Sequence, residues 1–161
     1  VPSNKDRFLR KETLQGYVHD EASAFFGGLA GNAGLFSTAR EVARVYQMLL
    51  NGGEIDGKRY LSKETCNLFT TETSKISRRG LGFDKPDMED PKKGNCASGV
   101  PAGVYGHTGF TGTCAWVDPE NDLVYVFLSN RIYPNVTNRK LNQLHIRERI
   151  QEAIYDAMKK K

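Results

Sequence analysis

The sequence predicts an α+β fold in which an antiparallel β-sheet is flanked by helices. Three observations support this prediction: a capped helix that begins at Thr38, three strand-like segments between residues 104 and 129, and a helical stripe near the C-terminal end. Strands joined by short turns, with helices before and after them, are typical of α+β proteins. The 161 residues suffice for one domain with its own core.

Two helices are predicted in the first half of the chain. Thr38 and Glu41 form a capping-box pattern at the start of the first helix. The residues that follow at helical spacing should share one buried face: Val42, Val45, Tyr46 and Leu49. The glycine pair after Asn51 should end this helix, and a second, short helix should begin near Ser62.

Three strands are predicted at residues 104–108, 113–117 and 123–129, with a hairpin turn at 118–122. The third strand is apolar without alternation, which is typical of a strand covered on both faces. One cover should come from a C-terminal helix whose apolar residues run along one stripe: Ile146, Ile150, Ala153, Ile154 and Ala157.

The remaining segments are polar or rich in glycine. Residues 1–26 are predicted to be an irregular tail, or the end of a structure that begins upstream. Residues 27–34 contain four glycines and should allow a close approach of backbone segments. Residues 71–100 should pass over the surface, with one short strand at 80–83.

Composition argues against several classes of function. The net charge is +4, but the basic residues are spread along the chain, so we predict no nucleic-acid binding. The three cysteines have no C-x-x-C spacing, so no metal or cofactor is predicted. No apolar run approaches the length of a membrane helix, and a targeting segment, if one exists, should lie upstream of Val1.

The most informative segment is residues 105–113, in which His107-Thr108-Gly109 lies on a predicted strand. This triplet resembles the third active-site motif of serine β-lactamases and penicillin-binding DD-peptidases, which is Lys-Thr-Gly or Lys-Ser-Gly in most members. Further segments are similar to the class-C-like branch of that superfamily: residues 34–39, 49–53, 116–120 and 127–131. The resemblance covers roughly residues 16–158, so we treat residues 1–161 as a single, partial domain, the C-terminal part of a β-lactamase/transpeptidase-like fold.

The resemblance implies roles for five residues. The strand would form one wall of a cleft, with the backbone N–H of Phe110 as an oxyanion donor. Gly109 would keep this wall open to the substrate backbone. Thr108 would offer a hydroxyl to a substrate carboxylate, and His107 a proton or a positive charge. Asn135 falls where related enzymes place a substrate-contacting asparagine. His19 and His145, which have no such context, are interpreted as structural.

The nucleophile of the superfamily lies in Ser-x-x-Lys, and no serine of this chain has lysine three residues later. We therefore expect a C-terminal fragment, inactive alone, whose main partner is an N-terminal half. The parent protein would hydrolyse β-lactams, D-amino-acid peptides or esters in the periplasm or another extracytoplasmic space. The alternative is a non-catalytic module that binds peptidoglycan or a partner protein.

Two further expectations follow from the sequence. Histidine is largely neutral at neutral pH whereas lysine is charged, so His107 should anchor a carboxylate weakly, which favours an esterase or peptidase over a β-lactamase. The resemblance implies that residues 123–128 pair on one side with a strand from the N-terminal part of the fold. Without that part they should present an unpaired edge, through which we expect the isolated chain to self-associate.

Overall fold

The computed structural model describes residues 3–72 and 74–159. It contains short strands and helices around one three-stranded sheet. In chain order they are β1 (Asn4–Lys5), β2 (Thr13–Leu14), α1 (Glu21–Phe25), α2 (Ala39–Leu50), β3 (Glu54–Ile55), β4 (Lys58–Arg59), α3 (Lys63–Thr70), a 3-10 turn (Pro91–Lys93), β5 (Tyr105–Thr108), β6 (Cys114–Asp118), β7 (Leu123–Phe127), α4 (Lys140–Gln143) and α5 (Ile146–Met158). The predicted α+β class is confirmed. No helix in these residues is long and apolar enough to cross a membrane.

The central sheet has the strand order β5–β6–β7, and both pairings are antiparallel. His107 lies opposite Ala115, and Trp116 lies opposite Tyr125. Asp118 begins the predicted turn between β6 and β7, and its carboxylate accepts the N–H groups of the two residues that follow Pro119. All three predicted strands are therefore present, with bounds shifted by one or two residues.

The two faces of the sheet are covered by different helices. Trp116 and Tyr125 point to one face, where they form the main core with side chains of α5. Because successive side chains of a strand alternate, Tyr105 points to the other face. There it contacts Phe83, which in turn contacts Tyr46 of α2. In β7 only Tyr125 is buried, so the cover on this strand is thinner than the sequence predicts.

Helix α2 begins as predicted. The Thr38 side chain accepts the Glu41 N–H, and the Glu41 carboxylate accepts the Thr38 N–H, which completes the capping box. The predicted apolar face is only partly right, because Val45 is 56% exposed. Helix α3 has Ser62 as its N-cap, in agreement with the sequence.

The predicted stripe of α5 is only partly right: Ile154 packs against the core and Ile146 is half-buried. Ile150, Ala153 and Ala157 are exposed, and the buried positions of the helix are Arg147 and Gln151. The reason is hydrogen bonding: the Gln151 side chain accepts the Ala97 N–H at 2.9 Å, and the Arg147 guanidinium donates to the Asn142 side-chain oxygen at 3.3 Å. Polar side chains with such partners can occupy positions that an apolar pattern does not show.

Two polar segments are more ordered than predicted. Residues 3–26 contain the β1–β2 hairpin and α1, and Leu14 and Val18 are buried there. In the segment 71–100, no strand forms at 80–83 in the described residues; instead Asp84 pairs with Gly106 in an isolated bridge. The end of this segment enters the main core through three small residues: Cys96, Ala97 and Val100. Burial of these residues explains why the segment does not remain on the surface.

Candidate functional site

A cleft of about 670 Å³ opens beside the first strand of the sheet. Residues 107–111 of the β5–β6 hairpin form one side of the cleft, residues 17–19 and 32–37 another, and residues 128–130 a third. The glycine-rich loop makes this arrangement possible, since a Cβ on Gly34 would lie 2.2 Å from the Gly28 carbonyl oxygen. The predicted close approach of backbone in residues 27–34 is therefore present.

His107 lies on β5 with its ring exposed at the cleft wall. Its Nδ1 is 2.6 Å from the Thr108 carbonyl oxygen, and its Nε2 is 3.0 Å from Nη1 of Arg79. A guanidinium can only donate and a carbonyl can only accept, so Nδ1 carries the proton and Nε2 accepts from Arg79. The ring of His107 is thus held between a carbonyl and a guanidinium, and the positive charge at this end of the wall belongs to Arg79.

Arg79 forms a long ion pair with a buried carboxylate. Asp84 is 1% exposed and lies 3.9 Å from Nε of Arg79. The side-chain hydrogen bonds that Asp84 accepts come from other residues: from Nε of Arg78 at 3.0 Å and from the Asn95 amide at 2.7 Å. Burial raises the pKa of Asp84, but the hydrogen bonds from Asn95 and Arg78 outweigh burial and hold this pKa below its usual range. The carboxylate is thus an ionised anchor next to β5.

Sequence reasoning missed both Arg79 and Asp84. They lie in a segment without periodicity, which was predicted to pass over the surface. The available signal was the pair Arg78-Arg79 followed by Asp84, and it does not show that the chain folds back against His107.

The tip of the β5–β6 hairpin carries the next predicted residues. Gly109 donates its N–H to the Thr113 carbonyl at 2.8 Å, and Thr108 lies half-buried in the cleft wall. A Cβ on Gly109 would lie 2.2 Å from Oγ1 of Thr113. The missing side chain therefore makes room for Thr113 of the same hairpin, which differs from the open wall predicted for Gly109. Phe110 follows at the tip, and within residues 3–72 and 74–159 its N–H has no hydrogen-bond acceptor.

The structure brings His107, Thr108, Gly109 and Phe110 together along the cleft, as expected of consecutive residues. It does not bring Asn135 to them, because Asn135 is exposed and is absent from the cleft lining. The Asn135 side chain accepts from the N–H and the hydroxyl of Thr137 in a local turn. A substrate contact by Asn135 finds no support in this geometry.

His19, interpreted as structural from the sequence, lines the cleft opposite the hairpin tip. Its ring stacks on Phe110 with a centroid separation of 5.2 Å and an interplanar angle of 8°. Burial lowers the pKa of His19, and the charges of Arg10 and Arg131 act in the same direction, against Asp20 and Glu21. His19 therefore favours the neutral form at neutral pH.

No group of three or more His, Cys, Asp or Glu side chains in the described part of the chain could hold a metal ion. The cleft itself offers hydroxyl and amide groups and aromatic rings, and the cation of Arg79 lies beside it, outside the lining residues, 3.0 Å from the ring of His107. Such groups can bind an anionic substrate and stabilise negative charge on a carbonyl oxygen.

Comparison with known proteins identifies the family. The family model described as Beta-lactamase matches residues 3–148. A protein of Escherichia coli (strain K12) named "Putative D-alanyl-D-alanine carboxypeptidase" is 37% identical over 137 residues, which cover 83% of this chain and 31% of that protein. A protein of the same name from Salmonella agona (strain SL483) is 36% identical over 141 residues, with the same two shares. The chain spans about a third of the length of the curated relatives it matches. It belongs to the beta-lactamase family.

Proposed function

We propose that this chain forms one wall of the active site of a serine hydrolase of the D-alanyl-D-alanine carboxypeptidase type. The serine nucleophile and its activating lysine would come from a part of the protein outside these 161 residues. The similarity to carboxypeptidases supports the class of reaction, in which an acyl-enzyme forms on serine and is then hydrolysed.

The observation that carries the proposal is the contact between Arg79 and His107. A D-alanyl-D-alanine peptide ends in a carboxylate, and a guanidinium can bind a carboxylate with two charge-assisted hydrogen bonds. Arginine side chains carry a fixed positive charge in proteins, and that of Arg79 lies 3.0 Å from the first residue of the His-Thr-Gly triplet. Arg79 would therefore supply the charge that lysine supplies in the common form of the triplet.

The hairpin tip would act on the reacting carbonyl group. During attack by the serine, negative charge develops on the carbonyl oxygen, and a backbone N–H aimed at that position stabilises the transition state. The N–H of Phe110 has no acceptor among the described residues, which suits this role. The Thr108 hydroxyl would assist Arg79 in holding the substrate carboxylate.

The direct test uses the longer protein that carries this chain. Release of D-alanine is measured from a peptide that ends in D-Ala-D-Ala and from the same peptide with a C-terminal amide. Arg79→Ala should raise KM for the carboxylate peptide by about 10- to 100-fold, since one charge-assisted contact is lost, and should leave the amide peptide unchanged. Arg44→Ala, which removes an exposed arginine paired with Asp56, is the matched control and should change neither substrate.

Two results would overturn the proposal. Equal losses on both peptides would show that Arg79 does not bind the carboxylate. If the longer protein shows no turnover and forms no serine adduct with a fluorescent penicillin, the alternative function is favoured, in which the chain belongs to a non-catalytic binding module. The 161-residue chain alone should take up no penicillin or fluorophosphonate, as intact-mass analysis can show.

A further inference from the structure

The loop of residues 6–10 lies behind the cleft wall that carries His19, and the carboxylate of Asp6 holds this loop together. Asp6 is 5% exposed, and its carboxylate accepts the N–H groups of Phe8, Leu9 and Arg10 at 2.9, 3.0 and 3.2 Å. Oδ2 of Asp6 also accepts from Nε of Arg10 at 2.6 Å. These bonds hold the pKa of Asp6 well below its usual range, the hydrogen bond from the Arg10 side chain being the largest cause. The ionised carboxylate therefore fixes the start of the Arg10 side chain.

The far end of Arg10 reaches the cleft wall. Its Nη1 donates to the Val18 carbonyl at 2.7 Å, and its Nη2 donates to the His19 carbonyl at 2.8 Å. The planar guanidinium can serve two successive carbonyls and a carboxylate at once, whereas the ammonium of lysine cannot reproduce that fork. On the other side of His19, Asp20 caps α1 by accepting the Ser23 N–H at 2.7 Å. The backbone of His19 is thus held from both sides.

With its backbone fixed, the His19 ring lies flat against Phe110. Phe110 has a second contact, since the guanidinium carbon of Arg131 is 4.8 Å from its ring centroid. Arg131 also donates its N–H to the Thr111 carbonyl at 2.8 Å. The hairpin tip is therefore held by His19 through a side chain and by Arg131 through both side chain and backbone.

We propose that His19 is a positioning residue for the hairpin tip, and that the Asp6–Arg10 pair holds His19 in that position. The chain Asp6–Arg10–His19–Phe110 links the N-terminal hairpin to the peptide group whose N–H is the oxyanion donor. This inference rests on the proposed function, in which the Phe110 N–H acts on the carbonyl oxygen. The stacked ring is the part of His19 that matters, and its nitrogen atoms are not required.

Three variants of the longer protein test this proposal. His19→Ala removes the ring, His19→Phe retains a stacking ring without nitrogen atoms, and Arg10→Lys keeps the charge without the fork. His145→Asn is the control, because His145 is an exposed histidine with a left-handed φ of 49° that asparagine readily adopts. Two experiments are made: steady-state kinetics with the D-Ala-D-Ala peptide, which gives kcat and KM, and amide hydrogen exchange of residues 109–112.

His19→Ala should lower kcat by about tenfold or more and leave KM within about threefold, since oxyanion donors act in the transition state. Exchange of residues 109–112 should accelerate by about three- to tenfold, the range expected for loss of one aromatic stack. Arg10→Lys should also lower kcat and accelerate the exchange, but less strongly than His19→Ala. His19→Phe and His145→Asn should resemble the unmodified protein in both.

Two results would overturn the proposal. If His19→Phe loses as much activity as His19→Ala, the ring nitrogen atoms act on the substrate and stacking is not the role. If His19→Ala changes neither kcat nor exchange, His19 does not hold the tip. A longer protein without any turnover would overturn the proposed function alone, because the exchange of residues 109–112 still reports whether His19 and Arg10 hold the hairpin.

Discussion

Asp84 joins the segment before the sheet to β5, and its replacement by asparagine should destabilise the chain strongly. The carboxylate is 1% exposed and accepts four hydrogen bonds. Oδ1 accepts from Nε of Arg78 and from the Lys85 N–H, each at 3.0 Å. Oδ2 accepts from Nη2 of Arg78 at 3.2 Å and from the Asn95 amide at 2.7 Å.

The size of the effect follows from these partners. Asparagine keeps one acceptor oxygen, so the bonds to Oδ1 can persist, whereas an NH₂ group in place of Oδ2 would face two donors. Hydrogen bonds to charged groups contribute about 1.5–3 kcal/mol each, and Arg78 is a third exposed, so the lower value applies. Two lost bonds at about 1.5 kcal/mol each give a destabilisation of about 3 kcal/mol.

Urea denaturation of the 161-residue chain, followed by circular dichroism, is the assay. At an m-value of about 2 kcal/mol/M, a loss of about 3 kcal/mol lowers the midpoint by about 1.5 M urea. Asp56→Asn is the matched control, because Asp56 forms an exposed pair with Arg44 and has a left-handed φ that asparagine tolerates. Its cost should stay below about 1 kcal/mol.

The pH dependence separates charge from packing. The folded-state pKa of Asp84 lies below its unfolded value, so its stabilisation is complete above about pH 4 and is lost as the pH falls through the folded-state pKa. The difference between wild type and Asp84→Asn should therefore be constant from about pH 8 to pH 5 and become smaller below about pH 4. A cost equal to that of Asp56→Asn, or a difference that does not change with pH, would refute this reasoning.

Three further predictions concern the sheet and the cleft. Gly106→Ala should destabilise the chain by about 3 kcal/mol or more in the same urea assay, because the added Cβ would lie 2.1 Å from the Ala115 carbonyl oxygen. Gly31→Ala is the control and should cost little, because its Cβ would meet no atom within 4 Å. Equal costs for the two variants would contradict the packing argument. The isolated chain should self-associate through β7, which pairs only with β6 in the described residues. Val126→Lys should reduce this association, as measured by light scattering over a concentration series. A wild-type chain that stays monomeric at high concentration would contradict this prediction. Burial lowers the folded-state pKa of His19, so the chain should lose stability as the pH falls from about 6.5 through that pKa. His19→Phe should remove this loss, as measured by thermal melts at pH 7 and pH 5. If the variant loses as much stability as the wild type, another group is responsible for the loss.

Local patterns of the sequence were sufficient for the elements that depend on neighbouring residues. The capping box at Thr38 requires only that Glu41 lies three residues later, and it forms as predicted. The three strands and the turn at Asp118 likewise follow from apolar runs and turn residues, and they are present. His107 to Phe110 lie along one cleft wall because they are consecutive, so their grouping also followed from the sequence.

The predictions that failed depend on contacts between distant segments. The buried face of α5 is set by Gln151, whose partner Ala97 is 54 residues away, and an apolar periodicity gives no information about such a bond. Residues 1–26 were predicted to be irregular because they are polar. Where the structure describes them, at 3–26, their order depends on polar bonds, such as those from Arg10 to the two carbonyls at 18 and 19. Side-chain to backbone bonds of this kind carry no periodic signal.

The composition of the cleft was likewise decided by tertiary structure. The triplet and its neighbours could be identified in one short segment. However, Arg79 meets His107 from 28 residues away, and His19 meets Phe110 from the segment between β2 and α1. Both contacts require the chain to fold back on itself, through the Asp84–Gly106 bridge in one case and the Asp6–Arg10 pair in the other. The sequence alone determined the wall of the cleft, because a strand orders consecutive residues. The charge of Arg79 and the ring of His19 lie beside that wall only because long-range packing brings their segments to it.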